Sequence, residues 1–303
     1  MIKKISIFLL LLSALTIVKA HNKTAEEQGK QSVLLKMNLK KGASYLFSTS
    51  IDQLVNQEVM GNQMDIKQQT QVDYIYEVVE SNTQGMKIKS TYQTMAINME
   101  TPQGNFHFDS KRTDNPESPL KAVGKMVGKS FFMYLSPEGE VTKVEGMQDV
   151  LNSIGGEAST QQLLKQQFSD SAFMNMMNVS LNIYPNKEIQ PNESWQKDFK
   201  MPMAGMMEMD LQNQYTLTAI NGKQADISVH STIKLSPLNS ESPLGNMQIN
   251  LTGTQDGKVQ VDSSTGLINS STINQQISGD ISAQGMKIPM KITSKITLTG
   301  KAL

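Results

Sequence analysis

Runs in which apolar and polar residues alternate one for one constrain this chain more than any other feature. Val72, Tyr74, Tyr76 and Val78 share one parity, with Asp73 and Glu77 on the other. Near the C-terminus Ile288, Met290, Ile292, Ile296 and Leu298 alternate with Lys291, Thr293, Lys295 and Thr297. Successive side chains of a strand point to opposite faces of its sheet, so a period of two predicts strands with one buried and one wet face. That is the pattern of antiparallel sheet, because strands of parallel sheets are covered on both faces and read as unbroken apolar runs. The alternation holds from Val33 to about Asp109 and returns from Trp195 onward. Asn82 and Gly85 supply turn chemistry before a strand running from Met86 toward Met99, and Asp256-Gly257 reads as another hairpin turn.

Between these runs the spacing changes. Leu120, Val123 and Val127 recur at helical intervals, as do Met147, Val150, Leu151 and Ile154, with Gly155 and Gly156 as the stop. A third helix is predicted from Ser159 or Thr160 through Leu163, Leu164 and Phe168, continuing past Phe173 and Met177. Residues 131–144 read as a hairpin turning at Ser136-Pro137-Glu138-Gly139. Strand runs on both sides of a helical block predict an α+β class that is mainly β, with antiparallel, curved sheet in two β-rich halves. The expected divisions are a signal peptide over 1–20, a flexible lead-in over 21–32, β-rich halves over 33–115 and 184–303, and a helical middle over 116–183. Gln84-Gly85-Met86-Lys87-Ile88 recurs as Gln284-Gly285-Met286-Lys287-Ile288, and Met64-Asp65-Ile66 resembles Met209-Asp210-Leu211. The two offsets differ, so a simple duplication does not follow.

The first residues fit an export signal: Lys3 and Lys4, an apolar run over 5–18, then Val18-Lys19-Ala20. That run is shorter than the ~20 residues a spanning helix needs. The expected mature chain is periplasmic or secreted, begins at His21 and keeps no membrane anchor. Cys is absent, which removes disulfides, thiolate metal sites, Cys nucleophiles and the lipidated Cys of a lipoprotein. Lys plus Arg equals Asp plus Glu at 28 each, so the basic footprint of a nucleic-acid binder is missing.

Lys41-Gly42-Ala43-Ser44-Tyr45, Leu135-Ser136-Pro137-Glu138-Gly139-Glu140-Val141, Tyr184-Pro185 followed by Glu193-Ser194-Trp195, and Ser264-Thr265-Gly266-Leu267 together carry a resemblance. In these motifs the chain resembles a domain-of-unknown-function family of exported bacteroidete proteins, over nearly all of the mature length. They are turn and strand markers, and the resemblance implies location and architecture but no activity. Where the family's pattern resembles Gly-Asp-Ser-Trp, this chain has Asn192-Glu193; Asn also adopts the left-handed backbone that Gly allows, so the turn should survive.

Candidate chemistry is sparse. His107 and Asp109 are two apart and would share one face of a strand, as a metal or acid–base pair or as a solvent-facing stripe. A mature N-terminal His21 could offer amine and imidazole to copper. His230 follows the apolar strand residues Ile227 and Val229. The segment from Gly124 to Ser130 misses a phosphate loop by one position, since Val123 stands where the first Gly belongs, and it leads into a strand where a phosphate loop opens a helix. No G-x-S-x-G elbow, H-E-x-x-H helix or EF-hand loop is present. A hydrolase with an acidic pair brought together in space is the alternative, weakened by a single Trp where sugar sites usually stack several rings.

The last candidate is Met201-Pro202-Met203-Ala204-Gly205-Met206-Met207-Glu208-Met209. On a strand Met201, Met203, Met207 and Met209 share a face. Three readings stay open: filler of an irregular core, an adaptable groove for lipid or peptide, and capture of Cu(I). Trp195 is expected to pack at the mouth of the second half after a Pro191-Asn192 turn, its N–H on a carbonyl. The resulting expectation is a non-enzymatic exported protein without cofactor that binds an apolar small molecule or an envelope protein, with Met201, Met203, Met207, Met209 and Trp195 as ligand-binding candidates. A purely structural envelope protein is the remaining class.

Overall fold

The computed structural model describes residues 32–114, 124–154, 170–203, 207–238, 248–283 and 286–303. The expected signal peptide, His21, Leu120, Val123, the Gly155-Gly156 stop and the helix start over 159–168 lie outside them.

The alternating segments become long strands. The first meander is β1 (Ser44–Val59), β2 (Asn62–Asn82) and β3 (Gly85–Thr101), with β4 (Gly104–Asp109) folded back on the far part of β3. The middle of the chain supplies the hairpin β5 (Ser130–Leu135) and β6 (Val141–Glu145), then α1 (Met147–Ile154) and α2 (Asp170–Leu181). The second meander is β7 (Ser194–Met203), β8 (Met207–Asn221), β9 (Gln224–Pro237), β10 (Gln248–Asp262), β11 (Ile268–Ala283) and β12 (Met286–Ala302). Val72, Tyr76 and Val78 are buried in one cluster with Tyr74 packed against it, as their parity requires.

The two β-rich runs form one twelve-stranded antiparallel sheet, ordered β6-β5-β3-β2-β1-β12-β11-β10-β9-β8-β7 with β4 on β3. The join is β1 on β12, paired without a break from Tyr45↔Ala302 to Gln57↔Met290. Asp256-Gly257 is no turn: it lies inside β10, where Gly257 pairs with Val229 and Ile273 in unbroken register and Asp256 bonds His230 on the outer face. A Gly flanked by alternating positions thus marks a strand interior here, the placement its lack of side chain permits where backbones and neighbours approach.

Both ends of the sheet pack on α2, so the sheet curls and the helix spans the seam between β6 and β7. On the β6 side the Asn178 amide pairs with one residue of the edge, accepting from the Val141 N–H at 2.7 Å and donating to the Val141 carbonyl at 3.0 Å. Such a clip satisfies edge groups that would otherwise be open to another chain. On the β7 side the Trp195 N–H donates to the Ile183 carbonyl at 2.7 Å, and Lys197 Nζ donates to Asn182 Oδ1 at 2.9 Å.

The end of the sheet bearing the β2–β3 turn is its upper end. It is crossed by residues 33–39, which pair with Ile189, Pro137 and Thr265 and bury Leu35, Met37 and Leu39. Gly266 has φ +70°, and a Cβ there would stand 2.2 Å from the Lys36 carbonyl oxygen, so the Ser264–Leu267 motif needs its Gly where the strap passes. Asn192 has φ 72°, the left-handed conformation expected of it before Trp195.

The outer face is polar, as the exposed column Lys287, Lys291, Lys295, Thr299 and Lys301 on β12 illustrates. A strand crossing a bilayer needs the reverse, apolar outside and polar inside. Among the described residues no helix is long and apolar enough to cross a membrane.

Candidate functional site

The inner face carries two apolar cores. The upper one gathers Tyr45, Phe47, Tyr76, Tyr92, Phe131, Phe173, Tyr184 and Trp195 among many aliphatic residues. The lower one gathers Val55, Leu211, Ile233, Leu235, Ile249, Leu251, Ile277, Ile281 and Ile292 with Met201, Met207, Met209 and Met290. Ile66, Met176, Val179 and Phe199 pack against the lower core.

A belt of polar residues separates them. Cross-strand register aligns Gln68, Gln53, Ser294, Gln275, Gln255, Ser231, Asn213 and Lys197 in one unbroken row, one residue from each of β2, β1, β12, β11, β10, β9, β8 and β7. Seven of the nine buried polar side chains among the described residues stand in this row, and Thr70, an eighth, accepts from Gln68 at 3.2 Å. The row immediately below is apolar apart from one glycine: Ile66, Val55, Ile292, Ile277, Gly253, Ile233, Leu211 and Phe199.

Hydrogen bonds satisfy much of the belt. Gln53 Nε2 donates to Ser294 Oγ at 3.1 Å, Ser231 Oγ donates to Asn213 Oδ1, and Gln255 Nε2 reaches both Asn213 Oδ1 at 3.2 Å and Ser231 Oγ at 3.1 Å. Two groups have no partner: Asn213 Nδ2, a donor, and Gln275 Oε1, an acceptor, on residues that are each 2% exposed. An unmet buried polar group costs about 1–3 kcal/mol, so it marks a place where water or a ligand would be stabilised.

Met201, Met207 and Met209 come together in the lower core, with Met201 paired to Met209 across β7 and β8. The backbone of Met203 pairs with Met207, while its side chain lies outside the described positions. Trp195 stands apart from them, in the row above the belt, stacked on Tyr215 at 5.5 Å between ring centroids. It is buried, as a packing residue would be.

The remaining candidates disperse. His107 and Asp109 lie at the far edge of the sheet on β4, with His107 Nδ1 on Asn98 Oδ1, and His230 pairs with Asp256 at 2.7 Å on the outer face. Among the described residues no three His, Asp or Glu side chains converge as metal ligands. Burial pushes the Tyr74 phenol up to about 12 and those of Tyr76, Tyr184 and Tyr215 higher still, so these phenols stay neutral at ordinary pH. An open groove of about 480 Å³ crosses β3, β2, β1, β12 and β11 at the level of the belt. Strand parity places Asp52, Lys67, Glu100 and Lys295 on its outward walls, and Lys67 pairs with Glu100 at 3.2 Å.

None of the belt residues stood out in the sequence. The available signal was a polar residue interrupting an apolar parity, such as Ser231 between Val229 and Ile233, or Asn213 between Leu211 and Tyr215.

None of the curated proteins matches the chain. Among solved structures it is similar to one described as lipid–protein interactions in lipovitellin, at 8% identity and TM-score 0.47, over 86% of this chain and 25% of that one. The chain therefore spans about a quarter of that protein's length. It also matches OccK7 (OpdD) of Pseudomonas aeruginosa, at 7% identity and TM-score 0.21 over 86% of this chain and 100% of the other. An outer membrane channel of Pseudomonas putida F1 matches at 8% identity and TM-score 0.20, over 88% and 97% of the two chains. The family model described as "Family of unknown function (DUF6263)" matches residues 83–268, more than half of the chain and all of β5 to β10, and the protein belongs to that family.

Proposed function

We propose that this is a non-catalytic exported protein that takes an apolar or amphipathic ligand into the lower lobe of its curled sheet. The observation that carries this reading is the division of the inner face: a belt with an unmet donor and an unmet acceptor rests directly on a lobe walled by Ile, Leu and Met. An amphipathic molecule presents the same two chemistries in the same order. The lobe is packed, so a ligand must displace side chains. Met201, Met207, Met209 and Met290 are the residues that move most cheaply, because an unbranched thioether adapts to irregular shapes. Export rests on Lys3, Lys4, the apolar run behind them and the Val18-Lys19-Ala20 site. The polar outer face suits a protein surrounded by water.

The test is mass spectrometry of solvent extracts from protein purified out of its own host, beside titration with a fluorescent acyl probe. Copurifying amphiphile near one per chain, displaced by the probe, is the expected result. Protein that carries nothing and leaves the probe's emission unchanged would overturn the reading.

A further inference from the structure

The β7–β8 end of the belt is chemically unlike the rest. Lys197 is the one charged residue in the row, and it stands directly across the strand pair from Asn213, whose Nδ2 lacks a partner. We infer that this end holds the head of an anionic amphiphile, a long-chain carboxylate, between Lys197 Nζ and Asn213 Nδ2, an inference that rests on the lower-lobe reading above.

Strand parity turns Lys197 to the same side as Trp195 and Phe199, which belong to the upper and lower cores. Its ammonium has three donors, of which the hydrogen bond to Asn182 Oδ1 at 2.9 Å uses one. Among the described residues it forms no ion pair, although it is half-buried. Burial lowers its pKa, while Glu140 and Glu138 nearby act the other way without pairing with it. A half-buried cation without a counter-ion is costly, and a carboxylate placed against it would offset that cost. Asn213 cannot supply the charge, but its free N–H group suits the second carboxylate oxygen, since its own Oδ1 already accepts from Ser231 and Gln255.

The tail has a defined path. Below Lys197 on β7 come Phe199 and Met201, and below Asn213 on β8 come Leu211, Met209 and Met207, all inward. The six steps of strand from Asn213 to Met207 span about 20 Å, a distance suited to a long acyl chain rather than a short acid.

The experiment titrates the full chain with 11-(dansylamino)undecanoic acid and with its methyl ester, and repeats both with Lys197→Gln, Lys197→Arg and Asn213→Leu, each first confirmed to be folded at the assay temperature by its unfolding curve, since Asn213→Leu also removes the acceptor of Ser231 and Gln255. The acid is expected to bind about tenfold tighter than the ester. Lys197→Gln should erase that preference and leave ester affinity alone, Lys197→Arg should retain it, and Asn213→Leu should weaken acid binding only. Equal affinity for acid and ester, or a preference that survives Lys197→Gln, would overturn the carboxylate inference while the lobe still binds. Binding of neither probe would overturn the lobe reading itself, and the head-group assignment with it.

Discussion

The upper and lower lobes are built from the same strands, yet they are packed by different chemistry. In the upper lobe rings touch in series: Phe47 on Tyr76 at 4.6 Å, Tyr74 on Tyr92 at 4.9 Å, Tyr92 on Phe131 at 5.8 Å and Phe131 on Phe173 at 4.7 Å. Aromatic pairs have preferred orientations, so such a lobe is specified in detail. It is further closed by the 33–39 strap, whereas α2 packs on both lobes. Among the described residues the lower lobe has branched aliphatic walls and four buried Met side chains, with Phe199 as its single ring, at the margin. Its contacts are non-directional, and Met lets them rearrange. The difference teaches that one end of the sheet holds the fold while the other has latitude to change shape, with the belt as the boundary.

The largest test of that contrast is Phe131→Ala. Its ring contacts both Tyr92 and Phe173, and truncation should cost about 3–5 kcal/mol in urea unfolding. Trp195→Ala belongs to the same class, because it loses the Tyr215 stack and the bond to Ile183 together. A loss near that of an exposed residue in either variant would remove the distinction between the lobes.

Next comes Asn178→Ala, which leaves the Val141 N–H and carbonyl on the seam without their clip. About 1–3 kcal/mol is expected. Hydrogen exchange at β6 should rise more than at β7, and uniform exchange across both edges would show that the clip does not hold the seam.

Met201, Met207 and Met209 changed singly to Leu should each cost less than about 1.5 kcal/mol, since volume is roughly conserved. The triple variant should bind Cu(I) as the natural chain does if these side chains act only as apolar walls. A Cu(I) response lost with the sulfurs would convert the lower lobe into a metal site.

Gln275→Met should have the smallest effect, within about 1 kcal/mol, because it removes an acceptor that has no partner in the belt. Gln255→Met should cost more, since Gln255 serves both Asn213 and Ser231. Equal costs for the two would mean that Gln275 is satisfied as well as Gln255 is.

Much of the local structure was legible. The Phe131–Val144 hairpin, the helix from Met147, the packed Trp195 and the left-handed Asn192 each follow from residues close in sequence. Asp256-Gly257 misled for the same reason. Turn chemistry is local, and only the pairing of β10 with both neighbours shows that the strand runs through it. The Met stripe was visible as a shared face, but parity alone does not say whether that face meets a core, a ligand or a metal.

The sequence by itself determined which side chains of each strand turn inward, because that depends on a period of two that any strand obeys. Ser294 does not stand out between Ile292 and Ile296, since one polar residue in an apolar face is ordinary within a single strand. Register is set between strands far apart in the chain, as with Gln53 and Ser294, which meet only through the β1–β12 join. Tertiary structure alone decided that eight such interruptions stand in line, with Lys197 at the end beside an unsatisfied Asn213. Pairing each strand with its neighbours turns isolated polar residues into a belt, because a polar side chain is stabilised in a core where others can hydrogen-bond to it.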